Sequence, residues 1–239
     1  PLYSRAAQGL PNFDYLVYRF VDDSDQALAA LLAGECDLVD PGAMLESQVD
    51  QLAALQADGQ LALITQTAAA WDVLAFGITS LEPDRPDYFG LAEVRRAIAQ
   101  CIDRSTLAQA LSGGRATPAQ SYLPPEHPLY NPEVAQYPYD PQAAAERLQA
   151  AGWIDLDGNP ATPRTAQGVA GVPDGTAFVV DYLVLPDAQS QAAAQQIQSW
   201  LAECGIQANL VVQEAQVALA AGPEGPVFGR QFDLAQIAW

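Results

Sequence analysis

The chain has 239 residues, enough for one large domain or two small ones with a buried core. It carries 29 acidic residues against 10 basic ones, all of them arginine, so its net charge is −19. This charge excludes a nucleic-acid or anionic-membrane site built on a basic patch, and the 50% apolar composition excludes a disordered chain. The acidic residues are spread along the whole sequence, which favours a compositional bias over a site for a cationic ligand.

The first part of the chain shows alternating strand and helix signals. A run of aromatic and β-branched residues over 13–21 predicts a strand, and the acidic stretch after it supplies an N-cap for a helix over 26–33. The next predicted elements are a strand over 36–39, a helix over 44–57, and strands over 61–67 and 73–78. This segment is therefore predicted as β-α-β-α-β.

A Pro- and Asp-rich loop over 79–90 follows and marks a candidate lobe boundary. Beyond it the sequence predicts a helix over 91–102 and a second helix that Ser105 caps and that runs to Leu111. Residues 115–141 hold seven prolines and four tyrosines, a composition typical of an irregular segment wrapped on the surface.

The last part of the chain alternates regularly. Asp140 followed by Pro141 signals the start of a helix over 142–151, and 155–175 is predicted as turns and loops. The remaining predicted elements are a strand over 178–185, a helix over 188–203, a strand over 206–212, a short helix over 214–220 and a strand over 232–239. This order favours an open α/β layer with right-handed crossovers.

The sequence contains no catalytic constellation. Its single histidine, His127, lies in a Pro-rich loop, and the nucleophile-elbow, zinc and phosphate-loop motifs are absent. Without lysine, a pyridoxal Schiff base is impossible. The DLDGN run at 155–159 lacks the glycine and glutamate positions of a calcium loop and is predicted as a β-turn. We therefore predict a protein that is not an enzyme, with no catalytic residue, metal site or cofactor.

Three cysteines, Cys36, Cys101 and Cys204, lie far apart in the sequence and form no CxxC motif. Three cannot all pair within the chain, so a disulfide scaffold is not expected. Cys101 and Cys204 fall inside helical patterns and are predicted as small buried hydrophobic side chains. Cys36 follows a predicted helix end and could pair with a partner outside the chain.

The aromatic side chains divide into core and ligand candidates. Trp200 shares a helix face with apolar residues and is predicted in the core, and Trp153 is predicted to pack at a helix end. Trp71 and Trp239 stand at strand ends, where ligand clefts of α/β proteins open. The predicted ligand-binding residues are Trp71, Phe76, Tyr122 and Trp239.

Several stretches, taken in order, resemble a known family. They are FDYLVYRFVDDSDQALAALLAGECDLVD, LAFGI, VRRAIAQCIDR, YPYDPQAAAERLQAAGW, IQSWLAECGIQANLVVQ and the final FDLAQIAW. In this combination and spacing, the chain resembles the extracellular solute-binding proteins of family 5, the peptide/nickel-type binding proteins of ABC importers. The resemblance covers nearly the whole chain.

The resemblance implies an α/β fold of the periplasmic-binding-protein-like type II class, with two open-sheet lobes that close on a ligand. It places 1–70 in the end of lobe I with the approach to the hinge, and 71–239 in the hinge crossing and lobe II. It implies an extracytoplasmic protein, periplasmic or lipid-anchored at the outer face of the cell membrane. Such a protein binds a peptide or similar small solute between its lobes and delivers it to permease subunits.

Two departures from the family pattern leave the ligand open. Gly77 stands where the family usually has Asn, and the LPDAQSQ stretch at 185–191 lacks the Arg that can hold a ligand carboxylate in dipeptide-type members. A solute-sensing input domain of a signalling protein and a purely structural α/β domain are the alternative functions. The chain is expected to be a piece of a longer protein, and its incomplete first lobe is expected to self-associate through exposed apolar surface.

Overall fold

The computed structural model describes residues 15–21, 23–40, 45–65, 71–82, 84–112, 114, 116–125 and 127–238. The chain divides into two compact units, Pro1–Thr67 and Ala68–Trp239. The assignment of the two units to two lobes stays a prediction.

The described elements of the first unit are all helices or helical turns. Its elements are helix α1 (Ser24–Leu32), a 3-10 turn (Leu45–Gln48) and helix α2 (Val49–Ala57). Helix α1 begins after Asp23, whose Oδ1 accepts a hydrogen bond from the Gln26 amide at 2.8 Å. Gly34 follows its end with a φ of +71°, the left-handed conformation that the sequence predicts there. The inward side chains Leu28 and Leu52 are buried.

The strands predicted in this unit are wrong wherever the structure describes them. Residues 15–21, 36–39 and 61–65 form no strand, and the other predicted strand positions lie outside the described residues. The pattern identified extended apolar segments, but a strand forms only when its N–H and C=O groups pair with a neighbouring strand. The described residues of this unit supply no such neighbour, and Val17 and Phe20 are exposed.

The second unit alternates strands and helices. In chain order its elements are β1 (Asp72–Phe76), α3 (Ala92–Cys101), α4 (Arg104–Ser112), α5 (Pro141–Ala150), β2 (Trp153–Ile154), β3 (Thr165–Ala166), β4 (Val179–Val184), α6 (Ala188–Glu203), β5 (Gln207–Val212), α7 (Ala215–Ala218) and β6 (Leu234–Ala238). Helix α6 has the predicted bounds, and the Asp140–Pro141 start of α5 is confirmed. Two details differ, because β3 lies inside the predicted 155–175 loop and α7 is a single turn.

One four-stranded sheet organises this unit, in the order β1-β6-β4-β5. Strand β4 is parallel to both β5 and β6, whereas β1 is antiparallel to β6. The small hairpin of β2 and β3 is separate. The loop after β1 lies within the second unit, and its role as a lobe boundary stays a prediction.

Both faces of the sheet are buried, as the alternation along β4 requires. Tyr182 and Val184 belong to the larger core cluster, which also contains Val94 and Ile98 of α3. Leu183, between them in sequence, belongs to a smaller cluster on the opposite face, with side chains of α7 and of the segment before β6. The sheet is therefore the middle layer of the unit.

A disulfide joins Cys101 to Cys204, with 6.3 Å between their Cα atoms. The prediction that both cysteines are unpaired hydrophobic side chains is wrong, although both are buried. The bond connects the carboxyl ends of α3 and α6, which are 103 residues apart in sequence. Local pattern carries no information about such a distant neighbour, and for this reason the pairing was missed.

Candidate functional site

The topology gives the sheet two unlike edges. The carboxyl ends of β4, β5 and β6 meet the amino end of β1 along one of them, which we call the carboxyl edge. From β4 the chain moves to β5 on one side through α6, and it then returns past β4 to β6 on the other side through α7. Ligands of open α/β sheets bind at the carboxyl edge where the strand order reverses in this way. Here that point lies between β4 and β6.

The pairing of β4 with β6 is short among the described residues. Only Tyr182 with Leu234 and Leu183 with Ala235 are paired, and the two strands are unpaired toward the carboxyl edge. The Tyr182 hydroxyl donates a hydrogen bond to Gln236 Oε1 at 3.0 Å across the two strands. Burial raises the pKa of the Tyr182 hydroxyl, so it stays protonated and remains a donor. Beyond these pairs β6 continues past the end of β4, and we call this place, where an open α/β sheet binds its ligand, the β4–β6 crevice.

The carboxyl edge is acidic. Asp72, the first residue of β1, is paired in register with Ala238 at the end of β6. Asp187 follows β4 and caps α6, where it accepts a hydrogen bond from the Ser190 amide at 2.8 Å. Burial raises the pKa of the Asp72 carboxyl, and the charge of Asp187 raises it further. The Ser190 amide lowers the pKa of Asp187, which therefore remains ionised.

The four predicted ligand-binding residues are placed differently. Trp71 directly precedes β1 at the carboxyl edge and is half-buried. Phe76 is at the opposite end of β1, with its ring centroid 5.2 Å from that of Phe89. Tyr122 lies in the irregular segment before α5 and is 70% exposed. Trp239 lies outside the described residues. Trp71 is therefore at the carboxyl edge, and Phe76 is at the other end of the same strand.

Phe76 belongs to a cluster of aromatic rings within the unit. Trp153 stacks on Phe178 with 3.9 Å between ring centroids, and Tyr88 is stacked against both, at 5.9 Å from Trp153 and 5.7 Å from Phe178. Trp153 and Phe178 are fully buried. The packing of Trp153 and Trp200 in the core is confirmed, whereas the rings of this cluster stabilise the fold rather than line the carboxyl edge.

Three acidic residues of structural importance were missed by the sequence analysis. They are Asp72 and Asp187 at the carboxyl edge, and Asp233 at the opposite, amino end of β6. The N-cap pattern before α6 is a local signal that could have singled out Asp187. Nothing local distinguishes Asp233 among 29 acidic residues.

Metal and membrane features can be judged for the described residues. They contain no group of three or more side chains able to hold a metal ion, and no helix long and apolar enough to cross a membrane. The DLDGN run is a turn, in which Asp155 Oδ1 accepts a hydrogen bond from the Gly158 amide at 2.8 Å. A groove of about 620 Å³ lies between α3 and α5, lined by residues such as Leu91, Ala143 and Ala150, and it contains none of the edge residues.

Comparisons with known proteins agree with this architecture. The sequence model of the bacterial extracellular solute-binding proteins, family 5 (middle region), matches residues 2–239. The chain therefore belongs to this family of transport binding proteins, which are not enzymes.

Curated relatives bind different solutes. The chain is 33% identical over 146 residues to heme-binding protein A of Haemophilus influenzae, covering 61% of this chain and 25% of that protein. It is 30% identical over 148 residues to glutathione-binding protein GsiB of Salmonella typhimurium, covering 62% and 27%. It is 29% identical over 208 residues to di/tripeptide-binding protein 2 of Pseudomonas aeruginosa, covering 85% and 33%. The chain spans a quarter to a third of the length of these relatives.

Solved structures show the same fold. The lactococcal oligopeptide-binding protein OppA, in its closed complex with an endogenous peptide, has a TM-score of 0.68 at 20% identity. That match covers 90% of this chain and 40% of the other. An ABC transporter substrate-binding protein from Sinorhizobium meliloti has a TM-score of 0.59 at 25% identity, covering 92% and 40%. The predicted periplasmic-binding-protein-like type II fold is thereby confirmed.

Proposed function

We propose that the protein is the solute-binding component of an ABC importer, and that it binds a peptide or similar small solute at the carboxyl edge and delivers it to permease subunits. The observation that carries this proposal is the reversal of strand order between β4 and β6, which opens the β4–β6 crevice. Relatives named for di- and tripeptides, glutathione and heme support an organic solute.

The proposed ligand contacts are aromatic and acidic. Trp71 and Trp239 supply apolar walls, and Tyr122 contributes from the exposed segment before α5. Phe76 supports the wall from within the core rather than through direct contact. Because the 185–191 stretch contains Asp187 and no arginine, we expect the ligand to present a neutral or cationic group there.

The proposed location is outside the cytoplasm, either in the periplasm or lipid-anchored at the outer face of the membrane. The Cys101–Cys204 disulfide supports this location, because disulfides persist in oxidising compartments and are rare in the cytosol.

Native mass spectrometry of the natural, full-length protein, purified gently, tests the function. A ladder of added masses that match short peptides is expected of a peptide receptor, whereas one discrete added mass indicates a single defined solute. Added masses should disappear after partial unfolding and refolding in the absence of solute. A protein that carries no added mass and binds neither glutathione nor Ala-Ala-Ala in titration would contradict the proposed ligand class.

The edge contact is tested by Trp71→Ala in the full-length protein. We expect the variant to bind the captured peptides about tenfold more weakly, because a large aromatic contact in a desolvated site contributes 1 kcal/mol or more. Isothermal titration calorimetry measures the change. The matched control is Phe228→Ala, which removes an exposed aromatic side chain in the segment that leads to the amino end of β6. Equal affinities of the Trp71 and Phe228 variants would exclude Trp71 from the site.

A further inference from the structure

Asp233 is a junction at the amino end of β6. Its Oδ1 accepts a hydrogen bond from Arg85 Nη1 at 2.8 Å, and its Oδ2 accepts one from the Asp181 amide of β4, also at 2.8 Å. Its main-chain oxygen accepts a third from the Gly77 amide, directly after β1, at 2.7 Å. One residue therefore connects the three strands β1, β6 and β4 with the loop after β1.

This junction is shielded from solvent. The side chain of Asp233 is 8% exposed and that of Arg85 is 20% exposed. Arg85 Nε also donates to Glu82 Oε2 at 2.9 Å, which orients its guanidinium. A carboxylate buried to this degree needs its charged partner, so removal of Arg85 leaves the Asp233 charge uncompensated. Breaking this pair therefore costs more than breaking an exposed ion pair of the same length.

Apart from this junction, β6 has little main-chain pairing with β4. Strands β1 and β6 pair over five positions and form a two-stranded unit, which we call the β1–β6 ribbon (Asp72–Phe76 and Leu234–Ala238). Among the described residues, the ribbon pairs with β4 at only two positions, both next to Asp233. Beyond them the ribbon has no main-chain pairing with β4 along the β4–β6 crevice, over about 10 Å to its far end. That far end carries Trp71.

A second contact ties the loop after β1 to the segment before β6. The Ser80 hydroxyl donates to the main-chain oxygen of Arg230 at 3.1 Å, and both Thr79 and Arg230 have a φ of +53°. Left-handed backbone at a non-glycine residue is unfavourable and persists only where surrounding contacts impose it. The two segments are thus held against each other at the amino end of the ribbon.

We propose that Arg85 and Asp233 are positioning residues for the ligand site: they clamp the β1–β6 ribbon to β4 at its amino end and thereby set the width of the β4–β6 crevice at the other end. The inference rests on the proposed function for its ligand, but the clamp itself is a property of the sheet. Neither residue contacts the solute. They act through the ribbon, whose main-chain pairing with β4 is confined to its amino end and which has one further side-chain contact to β4, from Gln236 to the Tyr182 hydroxyl.

Hydrogen–deuterium exchange of the natural, full-length protein tests the clamp without any ligand. In Arg85→Gln the amides of the ribbon should exchange about tenfold faster than in the wild type, because the ribbon opens locally. The β4–β5 pairing, which extends over six positions, should exchange at an unchanged rate. Asp233→Asn is the second variant, since it keeps an oxygen for the Asp181 amide and loses only the ion pair.

The matched control is Arg96→Gln. It removes an arginine that pairs with Glu93 on the exposed face of helix α3. In Arg96→Gln the amides of the ribbon should exchange at the wild-type rate. Unchanged ribbon exchange in Arg85→Gln, or equal acceleration in the ribbon and in β5, would overturn the clamp, because the second result is general destabilisation.

Binding of glutathione and Ala-Ala-Ala tests the positioning role. At a temperature where all variants are folded, Arg85→Gln and Asp233→Asn should each lose about five- to tenfold in affinity, mostly through faster dissociation. The double variant should lose no more affinity than the single variant with the larger loss, because both changes break the same contact. Faster ribbon exchange with unchanged affinity would overturn the positioning role. If the wild type binds neither peptide, the proposed ligand class fails, and the exchange measurement still decides the clamp.

Discussion

At position 77 the absence of a β-carbon decides how the chain leaves β1. A β-carbon built on Gly77 would lie 1.8 Å from the main-chain oxygen of Phe232, far closer than two atoms can approach. The Gly77 amide meanwhile donates to the main-chain oxygen of Asp233 at 2.7 Å. The departure from the family's usual Asn at this position is therefore a requirement of this backbone and not simply the loss of a polar side chain.

Gly77→Ala should lower the free energy of unfolding by about 2 to 4 kcal/mol, because the clash is with backbone and cannot be relieved by a side-chain rotation. Urea unfolding followed by tryptophan fluorescence measures the change.

The control is Gly158→Ala, at a φ of +70° with no atom within 4 Å of the added carbon. It should lower the free energy of unfolding by about 1 kcal/mol, because only the unfavourable backbone conformation contributes. A Gly77→Ala variant as stable as Gly158→Ala would show that β1 and the segment before β6 are not in this close contact.

At the scale of elements, helix α4 shows how a neighbouring residue competes for a cap. Ser105 was predicted as the N-cap, but Asp103 occupies that role: its Oδ1 accepts from the Thr106 amide at 3.0 Å and its Oδ2 from the Thr106 hydroxyl at 2.7 Å. A carboxylate forms stronger capping bonds than a serine hydroxyl and is favoured by the helix dipole. These bonds lower the pKa of the Asp103 carboxyl.

Asp103→Ala should lower the free energy of unfolding by about 1 kcal/mol at neutral pH. Because the folded-state pKa is lowered, this stabilisation is present above the ordinary carboxyl pKa of 3.8 and is lost as pH falls through the folded value. Unfolding free energies of the wild type and the variant should therefore converge in acid.

Asp103→Asn is the control for the charge, since it keeps an acceptor oxygen without an ionisable group. It should be nearly as stable as the wild type at neutral pH, and its difference from Asp103→Ala should not depend on pH. A difference between wild type and Asp103→Ala that is the same at all pH values would contradict a cap by the ionised carboxylate.

At the scale of the whole molecule, the disulfide connects two helices that local sequence does not relate. Its neighbour Arg164 is buried and donates to the main-chain oxygens of Cys204 at 2.8 Å and Trp153 at 3.1 Å. Burial lowers the pKa of the Arg164 guanidinium, yet these carbonyl groups replace part of its hydration. Arg164 therefore supplies a hydrogen-bond donor to a main-chain oxygen at the carboxyl end of α6, beside the disulfide.

Loss of the disulfide should destabilise the protein strongly. In the chain-entropy account a cross-link closing a loop of 103 residues contributes up to about 4 to 5 kcal/mol. The double variant Cys101→Ala/Cys204→Ala should unfold at a much lower denaturant concentration than the wild type, and reductant should no longer affect it. Cys36→Ala, the control at the unpaired cysteine, should match the wild type. Equal midpoints for the double variant and wild type would show that the bond is absent.

The polypeptide of 239 residues should self-associate when it is produced by itself. Apolar side chains of the first unit, including Tyr15, Val17 and Phe20, are exposed. Sedimentation velocity at increasing concentration should show a rising average mass, and replacement of Val17 and Phe20 by Asp should reduce it. A monomer at all concentrations would contradict this expectation.

Local chemistry determined what the sequence by itself could predict. The bounds of α6, the Asp140–Pro141 start of α5 and the left-handed Gly34 depend on residues within a few positions of one another. Capping bonds, helical periodicity and backbone freedom act over a few residues, so the sequence alone predicts them. The family resemblance rests on the same local stretches in their order.

Tertiary structure decided everything that depends on partners distant in sequence. The Cys101–Cys204 bond, the three contacts of Asp233 and the reversal of strand order between β4 and β6 join residues more than 50 positions apart in the chain. The strands predicted in the first unit failed for the same reason, since an extended segment becomes a strand only beside another. The placement of Trp71 at the carboxyl edge and of Phe76 in the core likewise follows from the direction of β1 in the sheet, which no local pattern specifies.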